Sequence, residues 1–133
     1  MKVAMIGSRR YENKRKIKET LTNLRRRFGD ELIIISGGAH DGADKYARKF
    51  AIEFGISYRE FNPAHTPKNL YSAMTESYYG KPYHASQFHH RNYLIAQDCD
   101  VMMAFIPYED RSPGSESAIK AAKRLGKKVI IIT

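Results

Sequence analysis

The chain has 133 residues, which is the size of one domain and leaves no room for two conventional ones. Hydrophobic residues make up 42% and charged residues 28% of it, so the composition excludes disordered, collagen-like and coiled-coil chains. The net charge is +9, and the single cysteine, Cys99, cannot form an internal disulfide. Because no apolar run approaches the roughly 20 residues that span a bilayer, we expect a small, basic, cytoplasmic protein.

Short apolar runs alternate with helical patterns along the chain. The runs that predict strands are Val3–Ile6, Leu32–Ile35, Ser57–Phe61, Val101–Ile106 and Val129–Ile132. Apolar residues at steps of three and four predict helices at Asn13–Phe28, Ala43–Phe54 and Ser115–Leu125, and a further helix is predicted at Gln87–Gln97, where Phe88, Leu94 and Ile95 are apolar. Short strands that are apolar on both faces and alternate with helices are typical of a parallel sheet covered on both sides. We therefore predict an α/β fold, a single three-layer Rossmann-like domain over residues 1–133 with a mostly parallel sheet of about five strands.

Residues 62–86 interrupt this alternation. They hold three of the five prolines and four of the nine tyrosines, and their apolar residues follow no period. We interpret this stretch as a Tyr-rich insertion or lid whose aromatic rings stack on a base, since every base offers a π-face. The alternative is a loop that packs on the domain or on a dimer partner.

The positive charge is concentrated near the N-terminus. Residues 1–27 hold ten Lys and Arg against two acids, Glu12 and Glu19, so this stretch carries +8 of the net +9. Such a cluster favours an anionic partner, which is a nucleotide, a nucleic acid or an acidic protein surface. The alternative is a solvated helix face that keeps the protein soluble.

Three predicted strand-to-helix loops carry unusual residues. In an open parallel sheet, ligands bind beyond the carboxyl ends of the strands, where the strand order reverses. The candidate ligand-binding residues there are Gly7, Ser8 and Arg9 after the first strand, Gly37, Gly38, Gly42 and Asp44 after the second, and Gly114 and Ser115 after the fourth. Glycines let a backbone approach a ligand, and the helix N-termini that follow offer free N–H groups, which suits a phosphate. The alternative for each loop is an ordinary glycine turn with a Ser or Asp cap.

The loops do not match the common nucleotide-binding fingerprints. Gly7-Ser8-Arg9 is not the G-x-G-x-x-G of dinucleotide-binding enzymes. Ala43-Asp44 stands where a P-loop needs Lys followed by Ser or Thr. The sequence therefore excludes an ordinary NAD enzyme and a P-loop NTPase.

Charge separates the roles of the candidate residues. Asp44 would repel a phosphate, so we expect it to cap its helix or to accept a ribose hydroxyl. Gly114 and Ser115 offer backbone N–H groups and a hydroxyl, which makes them the better phosphate candidates. Arg9 and Arg91 are able to neutralise a phosphate through bidentate hydrogen bonds.

Metal and thiol chemistry are not predicted. His89 and His90 are adjacent, so on a helix they point about 100° apart. His65 and His84 add no i, i+4 pair and no thiolate cluster, so we expect no metal and no resident cofactor. Cys99 stands between two aspartates, which disfavours a thiolate, and we predict a buried, inert thiol.

The ordered set of motifs resembles the YspA-like branch of the SLOG superfamily, a Rossmann-like group that includes the LOG phosphoribohydrolases and the DprA DNA-binding proteins. The match runs nearly end to end. Its residues are Gly7-Ser8-Arg9, Gly37-Gly38-Ala39, Gly42-Ala43-Asp44, Tyr79-Gly80, Arg91-Asn92, Cys99-Asp100, Gly114-Ser115 and Gly126. The resemblance implies a nucleotide or nucleotide-derived ligand in the crevice, and it adds Arg91 and Asn92 to the ligand-binding residues.

The resemblance also implies an enzymatic alternative, because the superfamily includes the LOG phosphoribohydrolases. LOG enzymes remove the base from a nucleoside monophosphate with an arginine, whose position Arg91 takes, and with the glutamate of a P-G-G-x-G-T-x-x-E motif. The run here is Pro113-Gly114-Ser115-Glu116, which lacks the second and third glycines and leaves Ala118 at the family's glutamate position. Catalytic roles for Arg91 and Glu116 are expected only if the protein is a hydrolase, in which Glu116 would stabilise oxocarbenium-like charge.

Three functions follow from these observations. We expect first the binding of a nucleotide-like ligand at the carboxyl edge of the sheet, by a sensor or sequestering protein. The alternatives are N-glycosidic cleavage of a nucleoside 5′-monophosphate and DprA-like binding of single-stranded nucleic acid through the basic N-terminal third. A homo-oligomer is compatible with the sequence, and a membrane is not a predicted partner.

Overall fold

The computed structural model describes residues 1–38, 42–61, 85–107 and 113–133. The strands are β1 (Lys2–Gly7), β2 (Ile33–Ser36), β3 (Ser57–Glu60), β4 (Val101–Phe105) and β5 (Lys128–Ile132). The helices are α1 (Lys14–Phe28), α2 (Gly42–Glu53), α3 (Ala85–Asp98) and α4 (Pro113–Arg124), and a short 3-10 helix, Gly29–Glu31, follows α1. The predicted lid at residues 62–86 lies outside the described residues except for its last two, which open α3.

The five strands form one parallel sheet in the order β3-β2-β1-β4-β5. β1 is central, since Val3 pairs with Ile34 of β2 on one side and with Val101 of β4 on the other. The chain moves outward from β1 through β2 to β3 and then returns to β4. The strand order therefore reverses between β1 and β4, which is where open parallel sheets bind ligands. The predicted α/β, Rossmann-like fold is confirmed.

The residues of β1 alternate between the two faces of the sheet. Val3 and Met5 pack with α1 and α2 on one face, whereas Ala4 and Ile6 pack with α3 and α4 on the other. All four side chains are at most 5% exposed. A strand buried on both faces must be apolar at every position, which explains the unbroken apolar run in the sequence.

Helix α1 shows how local sequence sets the boundaries of an element. Its buried face carries the apolar residues at steps of three and four: Ile17, Leu21, Leu24 and Phe28. The Asn13 side chain accepts a hydrogen bond from the Lys16 N–H at 3.2 Å and caps the N-terminus. Gly29, with a φ of 60°, ends the helix. Among the described helices, none is long and apolar enough to cross a membrane.

Candidate functional site

The loop after β1 turns at the carboxyl edge of the sheet and joins three parts of the fold. Ser8 donates its N–H to the carbonyl of Phe105 in β4 at 3.1 Å, and its own carbonyl accepts the N–H of Ala43 in α2 at 3.2 Å. The Ser8 hydroxyl accepts a hydrogen bond from the Arg10 N–H at 3.0 Å. Arg9 follows with an exposed side chain. The loop thus ties the ends of β1 and β4 to the start of α2 and leaves Arg9 accessible to a ligand.

Two of the predicted site glycines are required by close backbone approach. A side-chain carbon on Gly7 would overlap the carbonyl oxygen of Phe105, and one on Gly42 would overlap the carbonyl oxygen of Ser8. Gly42 also has a φ of +71° and Gly38 a φ of +74°, in the left-handed region that favours glycine. Gly7 thus lets the end of β1 lie against β4, and Gly42 lets the start of α2 lie against the β1 loop.

Gly37 lies between the two helical layers. Its carbonyl accepts a hydrogen bond from Nη1 of Arg91 in α3 at 2.8 Å. A side-chain carbon on Gly37 would stand 3.1 Å from Oδ2 of Asp44 in α2 and would overlap the Arg91 guanidinium. Nε of Arg91 donates to Oδ1 of Asn92 at 2.8 Å. The structure therefore brings the predicted residues of the second loop together with those of α3, around a residue that has no side chain.

A half-buried tyrosine extends the polar group beside Asp44. The hydroxyl of Tyr58 in β3 donates to Oε1 of Glu60 at 2.9 Å and also hydrogen-bonds with Ser36 at the end of β2. Burial raises the pKa of Tyr58 well above its usual range; the charges of Glu60 and Asp44 add to the rise, and the hydrogen bond with Ser36 opposes it. Ser36, Tyr58 and Glu60 were not among the residues predicted from the sequence. The available signal was the placement of Tyr58 and Glu60 two residues apart, on one face of a short strand.

The buried polar residues of the described chain concentrate at this edge. They are 0–7% exposed: Ser8, Ser36, Asp44, Asn92 and Ser115. Ser36 ends β2 and Ser8 follows β1, whereas Asp44 and Ser115 lie in the first turns of α2 and α4. Asn92 lies in α3, next to Arg91. Burying a polar group costs free energy that apolar packing avoids. Such a concentration within an otherwise apolar core is typical of a ligand-binding site.

Helix α4 brings three predicted residues to the same edge. Gly114, Ser115 and Glu116 lie in its first turn, where backbone N–H groups have no intrahelical acceptor. Ser115 is 5% exposed, whereas Glu116 is half-buried and lines a groove between α3 and α4. Arg91, on α3, extends instead toward Gly37. The first turn of α4 therefore presents N–H donors at the carboxyl edge, whereas the Glu116 carboxylate lines the groove between α3 and α4.

Cys99 is fully buried between α3 and β4. Its thiol donates to the carbonyl of Ala96 at 3.5 Å. Burial raises the pKa of Cys99, and the nearby charge of Lys127 offsets this only in part. The thiol is therefore held protonated and inaccessible, as the sequence predicted.

The histidines that the structure describes on α3 do not form a metal centre. Nδ1 of His89 lies 2.8 Å from the Ser117 hydroxyl of α4. Within residues 1–38, 42–61, 85–107 and 113–133, no group of three or more His, Cys, Asp and Glu side chains could hold a metal ion. His65 and His84 lie outside these ranges.

The fold and the site define a Rossmann-like α/β domain with a polar carboxyl edge at the reversal of strand order. The model of the YspA, cpYpsA-related SLOG family matches residues 1–66 of this chain. That match includes both glycine loops that follow β1 and β2. No curated protein is significantly similar in sequence. The family match confirms the resemblance predicted from the sequence over residues 1–66.

Two solved structures share the fold. DNA processing protein A from Helicobacter pylori, described for its single-stranded DNA binding mode, matches 98% of this chain with a TM-score of 0.73 and 21% identity. The molybdenum cofactor carrier protein from Chlamydomonas reinhardtii matches 98% of this chain with a TM-score of 0.65 and 18% identity. This chain spans 64% of the first protein's chain and 74% of the second's. At these identities the likeness concerns the fold alone.

Proposed function

We propose that the carboxyl edge of the sheet binds a nucleotide or a nucleotide-derived ligand. The observation that carries this proposal is the concentration of buried polar residues at that edge, next to the reversal of strand order between β1 and β4. The resemblance to nucleotide-processing relatives in the SLOG superfamily supports the same class of ligand. In this proposal the protein acts as a sensor or sequestering protein.

The ligand's phosphate would lie at the N-terminus of α4. Gly114 and Ser115 offer first-turn N–H groups there, and the helix dipole places partial positive charge at the same point. Arg9 is exposed at the edge and adds a full positive charge. Arg91 is oriented by the hydrogen bonds of its Nη1 and Nε, so it offers a second, positioned guanidinium.

The sugar would lie on the side of α2. Asp44 is 7% exposed in the first turn of α2, and its carboxylate is able to accept hydrogen bonds from ribose hydroxyls. Gly37, Gly38 and Gly42 would shape this part of the edge, since Gly37 lets the Arg91 guanidinium lie against the second loop and Gly42 lets the β1 loop lie against α2. The Asp44 carboxylate and the Arg91 guanidinium lie on either side of Gly37. The carboxylate would bind the hydroxyl end of a nucleotide and the guanidinium its phosphate end.

A chromatographic depletion experiment tests this proposal. Stoichiometric protein is incubated with nucleoside monophosphates, cyclic nucleotides and ADP-ribose, the protein is removed by filtration, and the remaining ligands are resolved. We expect one peak to be depleted without new products. Ser115→Ala should then weaken calorimetric binding of that ligand by about tenfold, the effect of one lost charge-assisted hydrogen bond. Ser117→Ala, two residues along the same helix, is the matched control and should leave binding unchanged; an unchanged ligand mixture would overturn the proposal.

N-glycosidic cleavage is a second candidate, favoured by the carboxylate of Glu116 in the first turn of α4. In that reaction water adds to the anomeric carbon, the C–N bond breaks and the base leaves with a proton. The same chromatogram would then show a free-base peak. Glu116→Gln should abolish that peak, because the amide cannot stabilise oxocarbenium-like charge. Base release that survives Glu116→Gln contradicts this assignment.

Binding of single-stranded nucleic acid is a third candidate, favoured by exposed cations on the layer of α1 and α2. These residues are Lys14, Arg15, Lys16, Lys18, Arg25, Arg26, Arg27, Lys45, Arg48 and Lys49. The two helices pack side by side, so their charges combine in one basic face. Phosphate neutralisation by such a face is independent of sequence and sensitive to salt.

A further inference from the structure

Strand β5 is poorly covered for a strand of a parallel sheet. All five of its residues are exposed or half-buried, although four of them are Val or Ile. Helix α4 packs on β5 from one face of the sheet. Strands of parallel sheets are normally covered on both faces, because both faces are apolar. The side of β5 that faces α1 therefore leaves apolar surface accessible to another molecule.

A groove of about 560 Å³ runs between α1 and β5. Its floor is apolar and includes Leu24 of α1, Met103 of β4 and Ile132 of β5, all half-buried. Its polar wall is one row of α1, with residues at steps of four, three and four: Lys16, Thr20, Asn23 and Arg27. The groove thus joins an aliphatic floor to a polar helix face.

The positive charge of this groove favours an acidic occupant. Lys16 and Arg27 line it and are exposed, and none of the described residues that line it has an acidic side chain. The whole chain carries a net charge of +9, so a second copy would bring further positive charge toward these two cations. An occupant that complements the groove must instead combine aliphatic residues with carboxylates.

We propose that the groove between α1 and β5 is a docking site for an amphipathic helix of an acidic partner protein. Aliphatic residues of that helix would pack on Met103 and Ile132, and its carboxylates would pair with Lys16 and Arg27. A helix fits because it would continue the layer of α1 and α2 across the uncovered side of the sheet. Recognition of this kind uses apolar anchors at i, i+3, i+4 and i+7. The groove contains none of the residues proposed to bind a nucleotide, so the two proposals stand or fall separately.

A labelled synthetic helix provides the probe for this site. The peptide has about 18 residues, long enough to be helical, with leucines on one face and glutamates on both flanks. Two matched peptides, one with lysines in place of the glutamates and one with the same composition in scrambled order, are the controls. Fluorescence anisotropy should show binding of the glutamate peptide and at least about tenfold weaker binding of both controls. Equal binding of all three peptides, or binding of none, would overturn the proposal.

Adjacent arginines of α1 give a matched pair of variants. Arg27→Glu reverses a charge that lines the groove and should weaken peptide binding by at least about tenfold, whereas Arg26→Glu makes the same change outside the groove and should alter it less than about threefold. Ile132→Asp should also weaken binding, in a variant that urea unfolding shows to be folded. Similar losses for Arg26→Glu and Arg27→Glu would indicate diffuse electrostatic attraction and overturn the proposal. A dimer in sedimentation equilibrium that Ile132→Asp dissociates would assign the groove to a second copy and also overturn it.

Discussion

Two glycines at the carboxyl edge have neighbours of different kinds. Gly7 stands against the backbone carbonyl of Phe105, which accepts the hydrogen bond that joins the β1 loop to β4. Gly37 stands against the end of the Arg91 side chain. A backbone carbonyl within a sheet cannot move without breaking its hydrogen bonds, whereas an arginine guanidinium can rotate away.

Gly7→Ala and Gly37→Ala should therefore separate stability from binding. Gly7→Ala should lower the free energy of unfolding by about 3 kcal/mol, the cost of overpacking a rigid site. Gly37→Ala should lower it by only about 1 kcal/mol, the value of one hydrogen bond, but should weaken binding of the ligand found by depletion, because Arg91 loses its position. Urea unfolding and calorimetry measure the two effects. Equal losses of stability in the two variants would show that Arg91 is as immobile as the backbone.

The hydroxyl of Tyr58 predicts a pH dependence of stability. Because burial raises its pKa in the folded state, the unfolded state loses this proton first as the pH rises. The contribution of Tyr58 is therefore complete below its unfolded pKa of about 10 and declines by up to about 1.4 kcal/mol per pH unit above it.

Tyr58→Phe tests this prediction. At pH 7 the variant should be less stable by about 1 kcal/mol, because it loses the hydrogen bond to Glu60. Above pH 10 the gap between the two proteins in urea unfolding should narrow, since phenylalanine has no proton to lose. Tyr93→Phe, at a residue that is 44% exposed, is the control and should follow the parent protein. A gap that stays constant with pH would contradict the raised pKa.

At the scale of elements, helix α1 owes its position to one apolar row. Leu21 is fully buried against the sheet, whereas Leu24, one turn on, is half-buried beside the groove that borders β5. The two leucines have the same helix propensity, so any difference between them reports packing alone.

Alanine substitutions along α1 should follow this gradient of burial. Leu21→Ala should lower the free energy of unfolding by about 3 kcal/mol, because it removes buried methyl groups and leaves a cavity. Leu24→Ala should cost about half as much, and Asn23→Ala, at an exposed position, should change stability by less than about 0.5 kcal/mol. Chemical denaturation of the three variants measures these losses in the free energy of unfolding. A loss at Leu24 as large as that at Leu21 would show that the groove is closed in solution.

At the scale of the whole molecule, the positive charge is unevenly placed around the sheet. The layer of α1 and α2 exposes many cations, of which Arg15 is paired with Glu19 at 3.2 Å. Lys18 lies 5.8 Å from the ring centre of Phe50, so part of this charge also covers aromatic surface. The α1–α2 face is thus the main candidate for contact with a polyanion.

Salt dependence separates specific use of this face from net charge. If it binds single-stranded oligonucleotides, the double variant Arg26→Gln/Lys49→Gln should reduce the slope of log affinity against log salt by about 1.4, or about 0.7 for each lost phosphate contact. Lys120→Gln/Arg124→Gln removes two exposed cations from α4 on the opposite layer and should leave the slope unchanged. Anisotropy titrations between about 50 and 200 mM salt measure both. Equal changes in the two double variants would exclude a binding face on α1 and α2.

The sequence by itself determined the class of fold and the loops that lie at the carboxyl edge of the sheet. The predicted helix 13–28 is observed as Lys14–Phe28, and the predicted strand 101–106 as Val101–Phe105. These elements were readable because periodicity, caps and apolar runs are local properties of consecutive residues. The glycine loops were readable for the same reason, since parallel strands place their carboxyl ends at one edge.

Only the tertiary structure decided which side chains meet. Arg91 and Gly37 are 54 positions apart, and Tyr58 joins Ser36, Glu60 and the charge of Asp44 across three elements. No period within one helix or strand encodes which residue of another element it will face. The uncovered side of β5 was equally invisible, because its apolar run is the same one that a strand buried on both faces would have. The apolar pattern of a strand shows that both of its faces favour burial. Only the packing of the other elements shows whether both faces are buried.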